Sequence, residues 1–429
     1  MEVSTVDIFD PDTYADGPPH EAFAELRQTD PVHWQPMSDP PASDARRGRS
    51  ELSVAEGDTI GRQSRMSDGP GCWAVLRHAD VSYVAKHPVV FSASLGGVVV
   101  EDLDPEQLSM MRMMLLAMDP PGHAQYRRPL VPHFGRQAIA GLEERVRSIC
   151  GEVLTGARDR GDLEFVHDVC AKVPSQVIGE LFGIPREDWG RVQHWAELST
   201  STQDAEITGG EDASSGSMEM AMYAIEFAGR RRASEPIDDL TSLILGTSFG
   251  EEPMTDVDFG SFFVQLVTAG NDTTKTMLSS GLHALVTHPE QLADVRADPS
   301  LIPGAVEEIL RWANPLHYFR RTAAEDVELS GTKISAGDKV AMLYTSANRD
   351  EEVFADPQRF DIRREPNPHL SFGIAEHFCL GAHLARLEGR VFFEELLTTF
   401  PSVELVGEPV RVRSNLNNGF KRLPVRLAC

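Results

Sequence analysis

The chain has 429 residues, 41% of them hydrophobic and 25% charged, the balance of a globular protein with a sizeable core. With 66 acidic against 40 basic residues the formal charge is -26, which disfavours non-specific attraction to nucleic acid or to an anionic membrane surface. No run of eighteen apolar residues occurs, and Met1 to Asp12 carries neither a basic nor an apolar leader region. Cys72, Cys150, Cys170, Cys379 and Cys429 are scattered without a CxxC pair, so a cytoplasmic protein with no disulfide framework and no zinc site is expected.

In chain order, His20 to Arg27 is expected as an amphipathic helix, followed by a strand at Pro31 to Trp34 whose partner is Cys72 to Leu76. Between them residues 37–70 are polar, rich in Ser, Asp, Arg, Gly and Pro, and without periodicity. This is an insertion, read either as a flexible surface loop or as a partner-binding or lid segment. His78 to Lys86 predicts a short helix and Phe91 to Ala117 a loop-rich region. Its methionines, Met110, Met111, Met113 and Met114, suit plain core or an adaptable apolar pocket. Asp119 is expected to cap a helix on which His123 and Arg127, at i and i+4, share a face. Gln137 to Arg158 and Asp168 to Phe182 continue as helices.

Thr255-x-x-Asp258 is a capping box that opens the longest helix, from Asp256 to about His288, where Pro289 follows. Its middle, Ala269-Gly270-Asn271-Asp272-Thr273-Thr274, is a poor helix former whose polar side chains compete for backbone hydrogen bonds. The helix is therefore expected to open there and to present a hydroxyl next to an acid, a local rule broken as functional sites break them. A further helix, Pro303 to Trp312, sets Glu308 and Arg311 at i and i+3. Pro315 to Thr322 leads into a strand-like stretch ending at Leu329.

Phe372-Gly373-Ile374-Ala375-Glu376-His377-Phe378-Cys379-Leu380-Gly381 then precedes a helix that begins near Ala382. Peptide N–H groups at a helix mouth lower a thiol's pKa, and a thiolate is a soft, electron-donating iron ligand. Gly373 and Gly381, lacking Cβ, let backbone pass close to a flat macrocycle. The pattern Phe-Gly-x-x-x-His-x-Cys-x-Gly resembles the haem-ligand loop of the cytochrome P450 superfamily. The upstream motifs stand in the family's order, so the resemblance spans nearly the whole chain, with residues 37–70 as its main interruption. It departs at Ala375, where the family usually has glycine, often with positive φ; a Cβ in that conformation costs about 1–2 kcal/mol.

The resemblance implies the cytochrome P450 fold, mainly α with small β-sheets (α+β), in one domain over residues 1–429. Haem b (iron protoporphyrin IX) would lie between the long central helix and the helix after the cysteine loop. Cys379 is thereby the axial thiolate and metal ligand, Phe372 the ring against its sulfur, and His123, Arg127, Arg321 and His377 the propionate contacts. Arg320 competes with Arg321 if the register shifts by one. Thr273 is implied as the oxygen-activating alcohol and Asp272 as its acidic neighbour. Ala269, Leu316, His317 and Tyr318 would line the substrate pocket, Asn415 to Lys421 would close it, and residues 182–230 would form the lid. Glu308, Arg311 and Arg359 match the family's structural Glu/Arg/Arg network.

The function so implied is monooxygenation: one oxygen atom of O2 is inserted into an apolar small molecule. Ser346 to Glu388 and Leu115 to Pro121 look most like the actinobacterial branch that oxidises sterol side chains and methyl-branched lipids. No Rossmann or flavin motif appears, so a separate ferredoxin and ferredoxin reductase are expected as partners. One alternative is tailoring of a polyketide or peptide intermediate, free or bound to a carrier protein; another is a non-catalytic haem-thiolate ligand-binding protein. A peroxygenase is disfavoured by Thr273.

Overall fold

The computed structural model describes residues 6–37, 71–158, 160–201, 203–209, 213–249 and 252–428. Residues 38–70 of the expected insertion, 202 and 210–212 of the expected lid, and Cys429 lie outside the described residues.

Helix α1 (His20–Thr29) leads into β1 (Val32–Pro36), which pairs antiparallel with β2 (Gly71–Val75) as expected. Every residue of β2 is buried, because a second strand covers its other edge. Helix α2 (His78–Lys86) and β3 (Phe91–Ser92) follow. The region expected to be loop-rich contains a helix, α3 (Pro105–Arg112), closed by a capping box that the sequence reading passed over. Asp104 accepts from the Glu106 and Gln107 N–H groups, and the Gln107 amide oxygen accepts from Asp104 N–H. Asp119, in contrast, does not cap α4 (Gly122–Arg127): its carboxylate accepts from Ser92 Oγ, Ser94 Oγ and Ala93 N–H instead.

The helical side comprises α5 (Glu143–Ala157), α6 (Lys172–Phe182), α7 (Trp189–Thr200), α8 (Ala213–Arg232), α9 (Asp256–Thr287), α10 (Ile302–Ala313) and, last in the chain, α11 (Ala382–Thr399). The stretch expected as one helix over Gln137 to Arg158 is broken at Gly141, and a π-helical turn at Val166–Cys170 precedes α6. α9 starts at the expected capping box, with Asp258 N–H donating to Thr255 Oγ1 at 3.1 Å. Its second half is buried on almost all sides, and Phe263, Leu282, Ile309 and Phe392 join α9, α10 and α11 in the main apolar core. Gly281 sets how closely these three helices approach. A Cβ there would lie 2.7 Å from Phe393 Cζ and 2.9 Å from Ile309 Cδ1.

Between α10 and α11 run β4 (Tyr318–Ala323) and β5 (Lys339–Leu343), completing a sheet in the order β1-β2-β5-β4-β3. The fold is thus mainly helical with small sheets, as expected. Among the described residues no helix is long and apolar enough to cross a membrane.

The structural ion network forms with a different third member. Arg311 donates to both carboxylate oxygens of Glu308, at 2.8 and 2.7 Å, and both side chains are fully buried. The second guanidinium on Glu308 is that of Arg364, with Nε 3.1 Å from Oε2. Arg359 is exposed and supplies only its carbonyl, which accepts from Arg311 and Arg364. The turn at Asp356 to Arg359 wraps its carbonyls onto the Arg311 guanidinium, which leaves the Arg359 side chain outside.

Candidate active site

A cavity of about 240 Å³ lies between the middle of α9 and the cysteine loop, and its lining is mostly apolar. From α9, Ala269 and Thr273 face it together, as the i, i+4 spacing dictates. The helix does not open here. Thr273 Oγ1 donates to Ala269 O at 2.7 Å and Asn271 Nδ2 to Val267 O at 2.9 Å, so both side chains use carbonyls four residues back while the helix continues.

Asp272 is buried and tied into an ion network rather than standing free next to Thr273. Lys275 Nζ is 2.8 Å from Asp272 Oδ1 and 3.0 Å from Glu197 Oε1 on α7, and Thr200 Oγ1 donates to the other Asp272 oxygen. Against the cost of burial, the charges of Asp272 and Glu197 hold Lys275 above its ordinary pKa. Against its own burial, Lys275 and His167 hold Glu197 below the usual range. The sequence reading missed Lys275 and Glu197. The i, i+3 spacing of Asp272 and Lys275 is a readable signal, whereas nothing local marks Glu197.

The cysteine loop closes through Cys379 N–H donating to Phe372 O and Gly373 N–H to Leu370 O, both at 2.8 Å. Gly373 has φ 66° and Ala375 has φ 61°, so the departure from glycine at 375 does carry a Cβ in the left-handed region. Cys379, Phe372 and His377 all line the cavity. Burial pushes the Cys379 thiol up from its ordinary value, while the Gly381 N–H and the charges of Arg127 and Arg386 pull it down. A metal ion bound to Sγ would deprotonate the thiol outright and override that balance.

His123, Arg127, Arg321 and His377 line the same cavity. The two imidazoles lie 4.2 Å apart, and Nε2 of each is buried without a hydrogen-bond partner among the described residues. Burial, then the charges of Arg127 and Arg321, push His123 down to about 4. Burial, then the charges of Arg321, His123 and Arg127, push His377 down to about 2. Arg127 Nη2 donates to Phe378 O and Arg321 Nη1 to Arg320 O; among the described residues neither guanidinium has an ion-paired carboxylate.

Strand alternation in β4 settles the register. Phe319 and Arg321 face the cavity, whereas Tyr318 and Arg320 point to the opposite side. Arg320 donates to Val99 O, and Tyr318 OH accepts from Val100 N–H. Tyr318 is thus not a pocket residue, and neither is His317, which is buried against Thr345. Leu316 does line the cavity and is bridged to Asn417, so the turn at Asn415 to Lys421 supports the wall from behind without lining it. Of the Met110 to Leu116 region, Leu115 and Leu116 reach the cavity and the methionines do not. One lining residue carries no signal in the sequence: Glu388, 2% exposed, with Oε2 unpartnered among the described residues and its carboxyl pushed by burial up to about 8.

Four cationic or donor groups with no carboxylate paired to either guanidinium among the described residues, a cysteine, and an apolar wall carrying a hydroxyl fit a flat apolar group that bears two carboxylates and a thiol-binding metal. That set of donors defines a haem-thiolate site. The cytochrome P450 family model matches residues 213–425. The steroid C26-monooxygenase of Rhodococcus jostii is 35% identical, over 98% of this chain and 84% of that protein. The methyl-branched lipid omega-hydroxylase of Mycobacterium tuberculosis is 37% identical, over 94% of this chain and 90% of that protein. The structure of Mycobacterium marinum cytochrome P450 CYP268A2 in complex with pseudoionone covers 98% of both chains, with 34% identity and a TM-score of 0.86. The chain belongs to the cytochrome P450 family. It is a monooxygenase, and its cofactor is haem b.

Proposed function

We propose that this monooxygenase hydroxylates a sterol or a methyl-branched lipid, with electrons delivered by a separate ferredoxin and its reductase in the cytoplasm. The names of the two relatives support the substrate class, and the shared cavity lined by Cys379 and Thr273 carries the mechanism. Cys379 Sγ would ligate the iron, and His123, Arg127, Arg321 and His377 would hold the two propionates. Haem b bound there supplies the activation of O2 and the transfer of one oxygen atom into a C–H bond, using two electrons and two protons.

The chain's own part is positioning, dehydration and proton supply. Leu115, Leu116, Ile178, Leu181, Leu316 and Phe319 give the cavity an apolar wall that binds a hydrocarbon skeleton and excludes water. Thr273 holds a proton at Oγ1 within the cavity. Behind it, Asp272, Lys275 and Glu197 form a run of charged groups that ends at the exposed His167, whose Nδ1 lies 3.8 Å from Glu197 Oε1; this run feeds protons inward from the surface. We keep residues 182–230 as the lid: its helix α7 is fastened to α9 through the Glu197–Lys275 and Thr200–Asp272 contacts.

The test is a reconstituted assay with sterols and methyl-branched fatty acids. A substrate that shifts the haem spin state should be hydroxylated by the wild type. In Thr273→Ala, product formation should fall on the order of a hundredfold while NADPH consumption continues. Unchanged coupling in that variant removes Thr273 from its role. A spin shift only with a substrate attached to a carrier protein replaces the free lipid with a carrier-bound one.

A further inference from the structure

Outside the active site the described residues form a second cavity, polar and of about 50 Å³, several times the roughly 10–15 Å³ that one water needs. It lies where the start of α1, the second half of α9, the end of α10 and a C-terminal hairpin meet. That hairpin pairs β6 (Val410–Arg411) with β7 (Phe420–Arg422). The polar lining is His20, Ser280, His283, Arg349, Arg411 and Asn418. No carboxylate is among them.

The two guanidiniums are held by neutral groups only. Arg349 lies 3.9 Å over the Trp312 ring and donates to Gln358 Oε1 and Trp312 O. Arg411 lies 4.6 Å over Phe420 and donates to Asn418 Oδ1. Among the described residues neither has a carboxylate oxygen within 4.0 Å, although the chain carries a large acidic excess. Glu308, whose charge reaches Arg349, is already engaged by Arg311 and Arg364. Removing two like charges from water without a counter-charge is strongly unfavourable. Burial, then the charge of Arg311, pushes Arg349 down to about 9, and burial pushes Arg411 down to about 10.

Two further groups at the cavity lack partners among the described residues: Ser280 Oγ, in a side chain 7% exposed, and His20 Nδ1. His20 also begins α1, a ten-residue helix whose N-terminal end carries positive partial charge. Guanidinium, hydroxyl and imidazole N–H groups around one small space are the donor set of an oxyanion or halide site.

We propose that this cavity binds one small inorganic anion, which neutralises Arg349 and Arg411 and joins the start of α1 and the β6–β7 hairpin to α9 and α10. The same hairpin carries Asn417, bridged to Leu316 in the active-site wall, so the anion braces that wall from behind.

The experiment is calorimetric titration of the full-length, haem-loaded protein, freed of small anions, with inorganic phosphate and, separately, chloride at fixed ionic strength. One saturable site for at least one of the two is expected. Arg411→Gln should weaken it tenfold or more and Ser280→Ala several-fold. Arg426→Gln, which removes an exposed partner of Asp162, should leave it unchanged. Absence of saturable binding to the wild type overturns the proposal. So does equal binding to the wild type and a folded Arg411→Gln; if that variant does not fold, wild-type affinity in Ser280→Ala overturns it instead.

Discussion

Ala375 occupies a backbone conformation with φ 61°, where an L side chain is strained by about 1–2 kcal/mol and glycine is not. Ala375→Gly should raise the unfolding free energy by about 1 kcal/mol, the relief being partly offset by the greater freedom of glycine in the unfolded chain; chemical denaturation of the holoprotein measures it. Glu388 carries a pH dependence of definite sign. Its carboxyl moves from 4.5 to about 8 on burial, so between these values the folded state holds a proton that the unfolded chain has released. The stability this proton represents is fully present below pH 4.5 and is lost as pH rises through about 8, a loss on the order of 5 kcal/mol. Denaturation midpoints of Glu388→Gln should therefore fall less steeply across that interval than those of the wild type; parallel slopes would place the titrating carboxyl elsewhere. Cys379 and Thr273 are legible in sequence because each sits in a short contiguous motif. Glu388 is not, because the property that matters, burial without a partner, is created by packing alone.

At the scale of elements, the Glu308 network separates two arginines that sequence alone confuses. Arg364→Ala should destabilise by about 3–5 kcal/mol, since it leaves a buried carboxylate short of one of its two guanidiniums. Arg359→Ala should change stability by no more than about 0.5 kcal/mol, because only the backbone of that residue takes part. Thermal or chemical unfolding of the two variants distinguishes them, and the reverse order would restore Arg359 to the network. The start of α9 was readable because its signal, Thr255 with Asp258, is local, whereas for β1 and β2 the sequence offered the two segments as partners and not the register that sets Trp34 opposite Trp73. The expected opening of α9 failed for a physical reason. Thr273 and Asn271 bond carbonyls four residues back, which accommodates polar side chains inside an intact helix. The pairing of Asp272 with Glu197 through Lys275 depends on the approach of α7 to α9, a long-range fact with no trace in either segment.

Over the whole molecule, the fold brings together groups from α4, β4, α9 and the cysteine loop, more than 250 residues apart in sequence, around one apolar cavity. His123, Arg127, Arg321 and His377 share that cavity with Cys379, a set that fits a ligand that is flat, apolar, dianionic at its edge and metal-bearing. The central claim is that Cys379 holds its iron. It is tested most directly by the optical spectrum of the purified protein, reduced and exposed to CO, alongside Cys379→Ser and the exposed-site control Arg426→Gln. A strongly red-shifted thiolate-type CO band in the wild type and the control, lost in Cys379→Ser, is the predicted result. A purified wild type without haem, or a red-shifted band that persists in Cys379→Ser, would contradict it.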